Sequence, residues 1–153
     1  MWTLFIFSWL GCSTERVESV ETTPENIIKV FIENLGDIEK VKSLFPSDII
    51  AKQILTCDGD NQIIKDKNRI FKKIDDNAEQ FKDVQASLHK MHLIETKEFT
   101  KGLQHKNCTF NETVESRKYK VTADLLSNTG NSSQKTKRII TIQWQSKWYL
   151  ISI

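Results

Sequence analysis

The sequence predicts an α+β fold: N-terminal helices, one of them long, packed on a C-terminal antiparallel sheet. Two observations carry this. Apolar residues recur at helical spacing from Ile27 to Leu88, and from Tyr119 they alternate singly along the chain. Both prolines, Pro24 and Pro46, fall in the helical half, where they punctuate its elements. At 153 residues, with 39% hydrophobic and 27% charged side chains, the chain has enough material for one domain with a real core.

The first helix should start at Thr23-Pro24-Glu25, with Thr as N-cap, Pro in the first turn and an acid beside it. Ile27, Ile28, Phe31, Ile32 and Leu35 form its apolar face, and Gly36 ends it. Asp37 caps a short second helix carrying Ile38, Val41, Leu44 and Phe45 up to Pro46. Ser47 or Asp48 opens a third through Ile49, Ile50, Ile54 and Leu55. Cys57-Asp-Gly-Asp-Asn61 reads as a turn. It is no calcium loop, because Gly59 stands second where an EF-hand loop needs glycine sixth. The longest helix is expected from Asn61 to about Ala86. Its seam is Ile63, Ile70, Ile74, Phe81, Val84 and Leu88, interrupted by Lys67 and Asn77.

Beyond His89 the period becomes that of strands. Met91–Leu103 supplies one, with Gly102 as a bulge or bend. Tyr119, Val121, Ala123 and Leu125 share a face opposite Lys118, Lys120, Thr122 and Asp124. Ser127–Ser133 is a polar loop into the strand Arg138–Trp144, where Ile140, Ile142 and Trp144 face one way. Gln145-Ser146-Lys147 turns the chain into Trp148–Ile153.

Residues 1–12 form an uncharged apolar run ending in Leu10-Gly11-Cys12, followed by polar residues. At twelve residues it falls short of the roughly 20 a membrane-spanning helix needs, and it has the character of an export segment. Its end resembles the lipobox of bacterial lipoproteins, with Gly11 and Cys12 matching the last two positions. Trp9 and Leu10 depart from that pattern, and no Lys or Arg precedes the run. The resemblance implies a signal peptide at 1–11, lipidation of Cys12 with fatty-acyl chains, a tether at 12–23 and an α+β domain at 24–153. Ser13 then implies the outer membrane of the cell envelope, with the domain facing the periplasm or the surface. Cleavage at Gly11-x-Ser13 by an ordinary signal peptidase would instead give a secreted protein, and a buried N-terminal strand is the third reading. With Cys12 assigned to lipid, Cys57 and Cys108 remain as a pair able to close a disulfide in an oxidising compartment. Two free buried cysteines are the alternative.

The order of elements resembles small exported bacterial proteins with a nuclear transport factor 2-like (NTF2-like) or cystatin-like domain. The residues carrying the resemblance are the Pro24 helix start, the Leu44-Phe45-Pro46 turn and the Lys147-Trp148-Tyr149-Leu150 strand. It implies a sheet curled around helices into a cone with an apolar pocket, in a family holding both enzymes and binding modules.

Chemistry is sparse. His89 and His92 stand three apart, but no third metal ligand follows in pattern, and neither His-Glu-x-x-His nor paired Cys-x-x-Cys occurs. Asp124 belongs with the exposed lysines. No nucleophile elbow, phosphate loop or dinucleotide fingerprint is present. Trp144 and Trp148 could line a pocket mouth if the sheet curls. Asn107-Cys-Thr109, Asn111-Glu-Thr113 and Asn131-Ser-Ser133 match the N-glycosylation pattern and are the main support for a eukaryotic secreted protein.

Charge is uneven. Residues 1–96 hold 12 Lys/Arg against 16 Asp/Glu (12 − 16 = −4), and residues 97–153 hold 10 against 4 (10 − 4 = +6). This falls short of a nucleic-acid-binding density, so no nucleic-acid partner is expected. The expectation is a protein that is not an enzyme, with no catalytic residues, metal or cofactor. It would be a binding or scaffold module whose partners are the membrane, through its lipid, and an envelope protein or small ligand. Contact through Lys118, Lys120, Lys137 and Arg138, or a small enzyme with a cone-shaped pocket built on His92 or Asp124, are the competing readings.

Overall fold

The computed structural model describes residues 23–153. The expected signal peptide, the expected lipidation of Cys12 and the expected tether before Thr23 fall outside the described residues. Among the described residues, five helices precede and flank the strands: α1 Pro24–Glu33, α2 Ile38–Lys42, α3 Asp48–Ile54, α4 Gln62–Asp76 and α5 Ala78–Phe81. The strands are β1 Leu55–Cys57, β2 Val84–Phe99, β3 Gln104–His105, β4 Cys108–Phe110, β5 Val114–Ser127, β6 Ser132–Trp144 and β7 Lys147–Ser152. They form an antiparallel sheet β2-β5-β6-β7 and a small one β1-β4-β3. The α+β class is that of the sequence prediction.

The helix starts are chemically explicit. The Thr23 hydroxyl accepts from the Asn26 N–H at 3.1 Å, Asp37 caps α2 through the Lys40 N–H, and Ser47 caps α3 through the Ile50 N–H. Asn61 caps α4 by accepting from Ile63 and Ile64 while its amide donates to the Ala51 and Leu55 carbonyls.

The long helix ends sooner than expected. Asn77 closes α4 by donating its side-chain amide to the Lys73 carbonyl at 2.7 Å, and the sheet begins at Val84. The apolar positions 84 and 88 fit both periods. Val84, Ala86 and Leu88 alternate as well as they follow a helical seam, and pairing with Ser127, Leu125 and Ala123 of β5 decides for a strand. The interruption at Lys67 also has a cause. Its ammonium is buried, donates to the Pro46 carbonyl at 3.0 Å, and pairs with Asp48, joining α4 to the start of α3.

Both faces of the sheet are used. On one, α1, α2 and α4 meet Tyr119, Val121, Ala123, Ile139, Trp148 and Leu150. On the other, at the far end of β5–β7, Ile142, Trp144 and Tyr149 pack against Ile54, Leu55, Cys108 and Phe110 from α3 and the small sheet. Alternation along β7 produces this split, since Trp148 and Leu150 point one way and Tyr149 the other. Gln145 and Ser146 both take positive φ (47° and 64°), the twist a two-residue hairpin turn requires.

Candidate functional site

The helix–sheet interior is filled with side chains. Ile28, Ile139 and Leu150 have no exposed surface, and Tyr119 keeps only 1%. Trp144 and Trp148 do not share a pocket mouth: they belong to clusters on opposite faces of the sheet. Polar chemistry therefore collects in three places around this packed interior.

The first is a knot where α1 crosses the sheet. The Tyr119 hydroxyl donates to Glu25 Oε1 at 2.6 Å, and the Arg117 guanidinium lies 3.9 Å from the same oxygen. Arg117 Nε donates to Glu115 at 2.6 Å, and the guanidinium sits 5.0 Å from the centre of the Trp148 ring. Burial and the bond to Glu25 push the Tyr119 phenol from 10.0 up to about 12, against an opposing pull from Arg117. A phenol so held is a proton donor across the ordinary pH range. Sequence alternation finds Tyr119 as a core residue but not Glu25, which lies 94 positions away.

The second is the outer face of the sheet. His89 Nδ1 and Asp124 Oδ2 stand 3.0 Å apart, and Gln134 also donates to Asp124 at 2.8 Å. Both partners of the dyad are nearly half exposed. His92 does not join it. The register sets His92 beside Lys120, and Lys120 beside Arg138 on the next strand. The same register pairs Lys137 with Val121, so Lys137 projects from the opposite face and is removed from the expected basic surface. Lys118 is bonded to Glu95 at 3.0 Å, which holds the Glu95 carboxyl below its ordinary value.

The third is an open recess of about 520 Å³ beside the small sheet, lined by Thr56, Asp58, Gln104, Lys106, Asn107 and Thr109 around the cysteines. Cys57 and Cys108 are direct partners across β1 and β4 and are joined by a disulfide. The amide of Asn107 donates to the carbonyls of Asp58 and Asp60, and that of Asn111 to those of Lys52 and Gln53. Two of the three glycosylation triplets thus spend their asparagine amides on holding distant segments together. The third, at Asn131, lies in the exposed β5–β6 loop. Among the described residues, no group of three or more His, Cys, Asp and Glu side chains could hold a metal ion. No described helix is long and apolar enough to cross a membrane.

No protein-family model matches the chain, and no curated protein does. Among solved structures, it is similar to a Campylobacter jejuni protein named "Putative NTF2-like transpeptidase", at 17% identity and a TM-score of 0.42. The match covers 84% of this chain and 97% of that one. The fold thus has a weak likeness to an NTF2-like protein. The flat expectation that the chain is not an enzyme is corrected by this finding. That protein carries an enzyme's name, and missing sequence motifs do not support a flat negative. The name is that protein's own, and a likeness at this TM-score carries no argument about the reaction of this chain.

Proposed function

We propose that the chain is an exported protein, held at the bacterial envelope through Cys12, whose domain works as a binding or scaffold module through its surface. The filled helix–sheet interior carries this reading. Where a cone would enclose a ligand, Ile28, Phe31, Tyr119, Ile139 and Leu150 occupy the space, which leaves the sheet face and the recess for contacts. The disulfide supports export, since such bonds persist in oxidising compartments. Metabolic labelling with a palmitate analogue tests the anchor: the wild-type chain takes label and Cys12→Ala does not. Equal labelling of the two, or of neither, overturns it. A photo-crosslinking residue at Thr122, on the outer face, tests the module. Crosslinks there that vanish from a control placed at exposed Glu79 support surface binding, and equal yields from both overturn it.

A second reading is catalytic and rests on the Tyr119–Glu25–Arg117 knot. A protonated phenol beside a carboxylate and a guanidinium can donate a proton to a leaving group or hold a developing anion. Turnover of an amide or peptide substrate that falls about a hundredfold in Tyr119→Phe and Glu25→Gln, with circular dichroism unchanged, would establish it.

A further inference from the structure

Lys120 and Arg138 stand directly opposite each other on neighbouring strands, and His92 flanks Lys120 on the other side. Like charges set opposite across an antiparallel pair destabilise a sheet, because their side chains start only about 5 Å apart. All three residues are exposed, and neither Lys120 nor Arg138 has an ion pair with any described residue. Lys90 lies one row along, opposite Thr122, and Lys118 one row the other way. The acids on this face are already engaged: Glu95 by Lys118, and Asp124 by His89 and Gln134. Folding therefore sets out an uncompensated set of cations across three strands.

We propose that this face, through Lys90, Lys120 and Arg138, lies against anionic phospholipid headgroups. The proposal rests on the envelope reading above. Cations spread in two dimensions match a plane of headgroups, whereas a linear polyanion would be better served by a groove. The geometry also permits it. Eleven residue-to-residue steps lead from Cys12 to Thr23 (23 − 12), a contour of at most about 40 Å. That compares with a diameter of roughly 35 Å for a domain of this size, so an anchored chain can bring any face to the membrane.

The test uses the full chain carrying Cys12→Ala, so that no lipid is attached, and vesicles of phosphatidylcholine with or without phosphatidylglycerol. Residues 1–11 are uncharged, so the readout is the gain in binding from phosphatidylglycerol. A gain of roughly tenfold or more at low salt is expected, abolished by high salt. Lys120→Glu with Arg138→Glu should remove it, whereas Lys137→Glu, on the opposite face, should keep most of it. If the double reversal unfolds by circular dichroism, Lys120→Gln and Arg138→Gln replace it and should each lower the gain several-fold. No gain in the parent, or an equal loss from Lys137→Glu, overturns the proposal. Tight binding to soluble polyphosphate without a phosphatidylglycerol gain also overturns it and makes the occupant a soluble polyanion. Failure of the anchor itself is read separately, as missing palmitate label on the wild-type chain.

Discussion

The two apolar clusters lie on opposite faces of one sheet and are held by different means. The helix-side cluster is built from elements of ten residues or more, α1, α4, β2, β5 and β6, with β7 and α2 filling in. Each long element presents a repeated apolar face, so packing alone can hold it. The opposite cluster depends on β1 and β4, of three residues each, which bury little by themselves. There the chain adds a covalent bond and a set of asparagine amides. Asn61 ties α4 to the Ala51 and Leu55 carbonyls, Asn107 ties β4 to the Asp58 turn, and Asn111 ties β4 to the end of α3. Where periodicity is short, specific bonds replace area.

Breaking the covalent tie should have the largest effect. Replacing Cys57 and Cys108 together by Ala should destabilise the fold by about 4 kcal/mol, the chain-entropy value for a separation of 51 residues. Urea unfolding of the oxidised parent and the variant measures it, and a loss below about 1 kcal/mol would show that packing carries the small sheet unaided. On the helix side, Leu150→Ala removes a wholly buried side chain and should cost about 3 kcal/mol by the same measurement.

Asn111→Ala should cost about 2 kcal/mol, because it strips a donor from the Lys52 and Gln53 carbonyls and an acceptor from the Thr56 hydroxyl. Hydrogen exchange should localise that loss to β1, β4 and the end of α3. An even loss across the main sheet would erase the distinction between the two regions.

The smallest effect tests the knot on the helix side. Tyr119→Phe should cost about 1 kcal/mol at neutral pH. The folded phenol titrates at about 12 against 10.0 for the free group, so the native state binds its proton more tightly. The stability this supplies is whole below pH 10 and is lost as pH rises through 12. The drop in stability between pH 10 and 12 should be shallower in Tyr119→Phe, and parallel profiles would count against the Glu25–Tyr119 bond.

Legibility in the sequence follows the same division. The caps Thr23 and Asp37 could be read directly and the start at Ser47 to within one residue, because a cap depends on residues within one turn. The alternating face of Tyr119, Val121 and Ala123 was equally plain. The end of α4 was not, because Val84 and Leu88 satisfy both periods and only pairing with β5 decides. The Cys57–Cys108 pair could be reached by counting, but its place directly across β1 and β4 could not. The polar groupings were the least accessible. Glu25 meets Tyr119 across 94 residues and His89 meets Asp124 across 35, whereas the departure of Lys137 from the face of Arg138 was legible in their one-residue alternation.

Lys67 gives the chain a built-in reporter. Its side chain is only 9% exposed and its donors are directed at Pro46 and Asp48, whereas Lys29, Lys65, Lys72 and Lys120 face solvent. A mild acylating reagent should reach those four within the mixing time and Lys67 only when α3 parts from α4. The delay in its acylation, followed by peptide mass, then gives the free energy of opening that helix contact, at native temperature and without denaturant.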